Sequence, residues 1–213
     1  MKITRLISLL FLYKGGYGLN REILPYMVGA LLYMPAYQSN VIEKLKRDRN
    51  IKSIAFCLED TIEDNAVEKA ELCLLDTLKE LKQNIDIFHR RLLIFIRIRT
   101  PNHMKSIIEK FADVMDVVTG IILPKFDESN AKEYLSSIRK YNLQKEHKLF
   151  AMPILESGSI ASVKNRVNNL CELKSILDEY SDIILNVRVG GNDLSNLYGL
   201  RRDVNRTIYD IGV

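Results

Sequence analysis

Two carboxylates, Glu156 in Leu155-Glu156-Ser157 and Asp193 in Gly190-Gly191-Asn192-Asp193, each follow an apolar run and would stand at the mouth of a buried strand. The strings before them, Ala151-Met152-Pro153-Ile154-Leu155 and Val187-Arg188-Val189, carry little polar character, as expected of strands covered on both faces. On neighbouring strands, whose backbones run about 4.8 Å apart, both acids could reach one divalent cation. Two carboxylates completed by waters or substrate oxygens are the ligand set of magnesium or manganese. These strand ends lack the Cys and His ligands of softer metals. The alternative is that each acid caps a following helix or pairs with a rim arginine.

Arg97 and Arg99 alternate with Ile96 and Ile98, so the two-residue period of a strand sends both guanidinium groups to one face. An arginine on a buried face needs an anion. A substrate carboxylate or enolate oxygen would serve, and so would an internal salt bridge to Glu59 or Asp60. Glu59-Asp60 could hold metal-bound water or simply begin a helix with an acidic first turn. Lys125 follows Pro124 at a strand end; it could form a Schiff base if its pKa were depressed, or balance charge. His89, His103 and His147 fall in polar, loop-like stretches and are expected at the surface. Lys14-Gly15-Gly16-Tyr17-Gly18 lacks the ending of a phosphate loop.

The elements that would position these groups alternate from residue 28 onward. Short apolar runs at Gly29 to Met34, Ser53 to Leu58, Leu92 to Ile98, Gly120 to Leu123, Leu149 to Leu155 and Ile183 to Val189 read as strands. Between the second and third, Ala66, Ala70, Cys73, Leu74, Leu78 and Leu81 recur at helical spacing. A similar stripe follows the fifth, made of Ile160, Val163, Val167, Leu170, Leu173, Ile176 and Leu177. Glu128-Ser129-Asn130 and Asn102-His103-Met104 carry helix-start signals. Parallel strands joined by crossover helices predict an α/β fold, a (β/α)8 barrel of the TIM type, with six βα units visible. The chain then divides into an N-terminal extension, 1–27, and a barrel domain, 28–213. An eight-stranded barrel needs two further strands, so either the chain is truncated at the C-terminus, which is the expectation, or the N-terminal 27 residues and a partner subunit cover the gap.

Composition sets limits on function. The chain has 213 residues, 47% hydrophobic and 27% charged, enough for one domain with a sizeable core. Lys plus Arg (31) against Asp plus Glu (27) gives a net charge of +4, spread along the chain, so no nucleic-acid partner is expected. Cys57, Cys73 and Cys171 are odd in number and lack CxxC spacing, which fits reduced thiols in the cytoplasm. Met1-Lys2-Ile3-Thr4-Arg5 with Leu6 to Tyr13 has the charge and apolar run of a signal peptide without a small-residue cleavage pattern. No apolar run approaches the roughly 20 residues of a membrane span, so no membrane partner is expected.

Leu32-Tyr33-Met34-Pro35-Ala36, Leu58-Glu59-Asp60, Ile96-Arg97-Ile98, Leu123-Pro124-Lys125, Pro153-Ile154-Leu155-Glu156-Ser157 and Gly191-Asn192-Asp193-Leu194 stand in sequence order. In that order and spacing they resemble the superfamily of the citrate lyase beta subunit, malyl-CoA lyase and related aldolases. The stretch Val189 to Arg202 is most similar to the citrate-lyase-like C–C bond lyase branch found beside tellurium-resistance and stress-response genes.

The resemblance implies that Glu156 and Asp193 hold magnesium and that Arg97 binds oxygens of an enolate or keto acid. It further implies reversible aldol or Claisen cleavage of a small keto or hydroxy acid or an acyl thioester, by a homo-oligomer. Such chemistry needs negative charge delocalised onto an oxygen that metal and guanidinium stabilise. Glu59, Asp60 and Lys125 would support these groups. Three features depart from the pattern: Cys57 replaces an acid, Asn192 replaces the glutamate of Gly-Ala-Glu-Asp-Leu, and the last strands are missing. A metabolite-binding or scaffold module on the same barrel is the rival expectation.

Overall fold

The computed structural model describes residues 21–84 and 92–200. Lys14 to Gly18, the apolar run before it, and His89 lie outside these residues.

Six strands form one sheet in consecutive order: β1 (Leu32–Pro35), β2 (Ser53–Cys57), β3 (Leu93–Arg97), β4 (Gly120–Leu123), β5 (Phe150–Leu155) and β6 (Arg188–Val189). Every neighbouring pair is parallel. Parallel neighbours require crossovers, and the intervening chain supplies helices, as the sequence rhythm predicts. They are α1 (Leu24–Met27), α2 (Val41–Arg47), α3 (Val67–Gln83), α4 (Pro101–Lys110), α5 (Ala131–Gln144), α6 (Gly158–Ala161), α7 (Arg166–Glu179) and α8 (Gly191–Leu197). This is the arrangement of consecutive βα units in a TIM-type barrel.

Strand periodicity divides the core into two layers. Ile54, Phe56, Ile94, Ile96, Ile121 and Leu123 point outward and pack with Leu74, Leu78, Ile107, Leu135, Ile138, Leu173 and Ile176 of the helices. Their neighbours Ala55, Leu93, Phe95, Ile122, Met152 and Ile154 form a second cluster on the inner face. Because β1 and β6 curl toward each other, the Arg188 guanidinium lies over the Tyr33 ring at 5.6 Å from its centroid. The bottom of the curl is covered by α1, whose Leu24 joins Val28 in the inner cluster. Ser53, at the start of β2, donates to the Val28 carbonyl at 2.5 Å.

Several local expectations change. Pro101 opens α4 and Thr100 caps it, accepting from the His103 amide, because proline suits a first helical position that needs no N–H. The stripe after β5 is not one helix. It breaks between α6 and α7, so Val163 falls in the connection at 79% exposure and Val167 faces outward at 71%, while Leu173 and Ile176 remain inside. Strand β6 is two residues long; upstream only Ile184 bridges to Ala151.

The histidines also depart from expectation. His147 is buried, its Nε2 at 2.6 Å from the Val118 carbonyl. His103 lies 3.0 Å from the buried Glu71. Burial pushes both imidazoles below the usual histidine value.

Where β4 meets β5, Gly120 is packed so closely that a β-carbon would sit 2.4 Å from the Phe150 carbonyl oxygen. Backbone on both sides cannot yield as a side chain would. Gly120→Ala is expected to lose roughly 1–3 kcal/mol of unfolding free energy, measured by urea denaturation, and an unchanged midpoint would contradict this packing.

Candidate functional site

The C-terminal ends of β2, β3, β4 and β5 deliver one connected ionic cluster. Arg97, the last residue of β3, is the hub. Its Nη2 lies 2.7 Å from Glu59 Oε2 and 3.2 Å from Glu156 Oε1, and its Nη1 lies 3.0 Å from Asp60 Oδ2. The Lys125 ammonium reaches Glu59 Oε1 at 2.9 Å. All six residues singled out in the sequence therefore stand at one end of the sheet, with Asp193 in the first turn of α8, immediately after β6.

Local structure explains each position. Register aligns Cys57 with Arg97, so the two residues beyond β2 carry Glu59 and Asp60 past the guanidinium. Both acids occupy a turn, closed by the Ile62 amide on the Glu59 carbonyl at 3.0 Å, and do not begin a helix. Glu156 follows Leu155 on the same side as Ile154, and Ser157 rather than Glu156 is the residue at the start of α6. Lys125 adopts φ of 47°, a left-handed conformation uncommon outside glycine. That twist turns its amide to donate to Glu156 Oε1 at 3.1 Å. Asn130 braces the loop, donating to the Lys125 carbonyl at 2.9 Å and accepting from the Asp127 amide at 3.1 Å.

Arg99 serves a different purpose from Arg97. Its guanidinium pairs with Asp64 and donates to the carbonyls of Leu58, at 3.2 Å, and Ile62, at 3.1 Å. The His103 Nδ1 accepts from its amide at 3.1 Å. Arg99 thus fastens the turn that carries Glu59 and Asp60.

Burial sets the electrostatics. Glu156 is 4% exposed and Glu59 6%. Desolvation pushes both carboxyls above the usual glutamate value. The Lys125 contacts and the Arg97 charge pull them back, while neighbouring acids, Asp193 and Glu59 around Glu156 and Asp60 beside Glu59, push up again. Burial also works against the Arg97 charge, but Glu59, Glu156 and Asp60 more than offset it and keep the guanidinium ionised. Lys125 is raised, first by its hydrogen bond to Glu59. That direction is opposite to what an amine nucleophile needs.

The donor set fits a hard divalent cation. Both hydrogen bonds to Glu156 fall on Oε1. Its Oε2 lies over Gly190, where a β-carbon would approach to 1.9 Å. Gly190 thus gives Glu156 its place beside the helix that carries Asp193. Four carboxylates, Glu59, Asp60, Glu156 and Asp193, interact with two cations, Arg97 and Lys125, an excess of acids over bases that a divalent ion would help to balance. Among the described residues no group of three or more His, Cys, Asp or Glu side chains is arranged as a metal cage. A pair of carboxylates plus waters and substrate oxygens is the way magnesium is commonly held.

Sequence reasoning missed three contributors. Gly190 was visible only as part of Gly190-Gly191. Tyr33 and Arg188 lie on the inner face of the first and last strands, where the two-residue period could have flagged them. Their meeting depends on the curl of the sheet, which no local pattern encodes.

Residues 22–213 match the family described as C–C bond lyase of the TIM-barrel fold, and the chain belongs to that family. No curated protein matches it. Among solved structures, it is similar to RipC from Yersinia pestis, with 14% identity and a TM-score of 0.51. The similarity covers 80% of this chain and 61% of that one, so this chain spans less than two thirds of that structure's length.

Arg97→Met should leave Glu59 and Glu156 buried without their counter-charge and cost about 3–5 kcal/mol at pH 7. Both carboxyls titrate above their unfolded value, so they bind protons more readily when folded. The stability they contribute is present below the ordinary glutamate pKa and is lost as pH rises through the raised one. The penalty for losing Arg97 should therefore shrink on acidification toward pH 4. Urea unfolding of both proteins at the two pH values checks this, and a pH-independent difference would refute it.

Proposed function

We propose that the chain is a magnesium-dependent carbon–carbon lyase performing retro-aldol or retro-Claisen cleavage of a small keto or hydroxy acid or an acyl thioester. The observation that carries the reading is the unbalanced acid cluster around Arg97 at the C-terminal end of the sheet, the face where barrels of this type place their chemistry. Glu156 and Asp193 would hold the ion, or manganese in its place. A bound magnesium ion supplies Lewis-acid polarisation of a carbonyl oxygen, the atom on which charge accumulates when an adjacent carbon–carbon bond breaks.

This chain's own residues prepare the remainder. Arg97 brings a permanent positive charge into a poorly solvated rim, where such a charge acts strongly on a developing oxyanion. Its Nε is buried with no hydrogen-bond partner among the described side chains and backbone. Glu59 and Asp60 fix the guanidinium plane from the β2 side, and Lys125 offsets part of the charge of Glu59. The resemblance of the Val189 to Arg202 stretch supports placement in the branch associated with tellurium-resistance and stress-response genes. Three free thiols support a reducing cytoplasmic setting. None of the described helices is long and apolar enough to cross a membrane.

Magnesium-dependent release of pyruvate, oxaloacetate or an acetyl thioester from candidate hydroxy acids and thioesters tests the proposal. Glu156→Gln and Asp193→Asn should each lower turnover by more than about 100-fold, with magnesium affinity in calorimetry falling in parallel. Ligand-induced stabilisation of the wild type without turnover of any candidate would instead favour a binding module.

A further inference from the structure

Behind the acid cluster stands a second polar group that the proposed chemistry does not use. Glu71 of α3 is buried, and each of its carboxylate oxygens has its own partner on α4. Oε1 lies 3.0 Å from His103 Nε2, and Oε2 accepts from the Lys110 ammonium at 2.6 Å. The other ring nitrogen of His103, Nδ1, accepts from the Arg99 backbone amide at 3.1 Å. An amide can only donate, so Nδ1 carries no proton and the hydrogen of the neutral ring sits on Nε2, where it points to Glu71. The imidazole is thus fixed in one tautomer from both sides.

What it holds is the short link between β3, which ends at Arg97, and α4, which starts at Pro101. From that link the Arg99 guanidinium donates to the carbonyls of Leu58, Glu59 and Ile62, at 3.2, 3.4 and 3.1 Å. Those carbonyls flank Glu59 and Asp60, whose carboxylates reach Arg97 at 2.7 and 3.0 Å. One continuous run of polar contacts therefore leads from Glu71, in the outer layer of helices, to the hub of the rim.

We infer that His103 is a positioning residue: seated on Glu71, it sets the Arg99 backbone so that the Arg99 guanidinium locks the turn bearing Glu59 and Asp60 against Arg97. It acts through Arg99 and does not reach the reacting atoms. The inference rests on the lyase reading only for its consequence in turnover.

Two amide side chains separate the roles of the ring nitrogens. Asparagine places an oxygen close to where Nδ1 stands, and glutamine places its amide close to Nε2. His103→Asn therefore keeps an acceptor for the Arg99 amide and gives up Glu71. His103→Gln keeps a donor for Glu71 and strips the Arg99 amide of its acceptor. Native-state hydrogen exchange, followed by NMR, reads the turn through the Ile62 amide, bonded to the Glu59 carbonyl at 3.0 Å. It reads the body of the sheet through the Ala151 amide, bonded to the Ile183 carbonyl at 2.8 Å. Relative to Ala151, Ile62 should exchange about tenfold faster in His103→Gln and no more than about threefold faster in His103→Asn, the scale of one lost hydrogen bond. In the lyase, kcat/KM should fall in the glutamine variant and recover in the asparagine variant.

An Ile62 rate unchanged in His103→Gln, or raised equally by both substitutions as for a ring that only fills space, overturns the inference. Nitrogen-15 shifts of the wild-type ring should show Nε2 protonated and Nδ1 bare, and a proton on Nδ1 overturns it whether or not the variants fold. Exchange and shifts need neither magnesium nor substrate, so absent cleavage would remove the lyase reading and leave the role of His103 decided by these two measurements.

Discussion

A guanidinium enclosed by three carboxylates is the constraint around which the upper end of this sheet is organised. Arg97 cannot be moved without stranding Glu59 and Glu156, both almost removed from solvent, and neither acid can be moved without leaving Arg97 short of a counter-charge. The three come from β3, from the turn after β2 and from the end of β5. Their meeting therefore fixes the relative heights of strands that are not all adjacent. Hydrophobic packing could tolerate a small slip of one strand against another. A charged hub in a poorly solvated place cannot.

The packing beneath that hub is arranged to leave it alone. Outward residues of the strands do the work of attaching helices, and the inward residues Phe95, Ile122, Met152 and Ile154 fill the lower part of the curl. On β2 to β5 the charged groups begin only where that filling ends, while Tyr33 and Arg188 bring polar groups to the inner face at the two outer strands. This separation lets the sheet be apolar on both faces for most of its length yet carry a dense ionic rim. Arg99 shows how the rim is secured from behind: it spends its donors on the carbonyls of a single turn, so that Glu59 and Asp60 arrive at a defined place.

Much of this was legible in the sequence, because it depends on position relative to strand ends. The run Leu93 to Arg97 announces a strand by its composition, and its end places Arg97 at the rim without further information. The same holds for Glu59, Lys125 and Glu156. What could not be read depends on closure of the backbone in three dimensions. Arg97 and Arg99 share a parity, but the chain leaves the sheet after Arg97, and Arg99 is free to turn toward Asp64. Val163 and Val167 keep helical spacing with Ile160 and Leu173, yet a break in the helix rotates them to the surface. His103 looked like a loop residue because its neighbours are polar, and its burial follows from helix-to-helix packing with Glu71.

Lys125 contributes to the cluster twice, by means that are chemically independent. Its ammonium reaches Glu59, while its amide, aimed by a backbone conformation that side chains resist, orients Glu156. Only the first contribution belongs to lysine. The second would be supplied with less strain by glycine, which adopts that conformation freely. Evolutionary drift at this position could thus discard one contact and keep the other, retuning the charge of the rim while the carboxylate beside it stays in place.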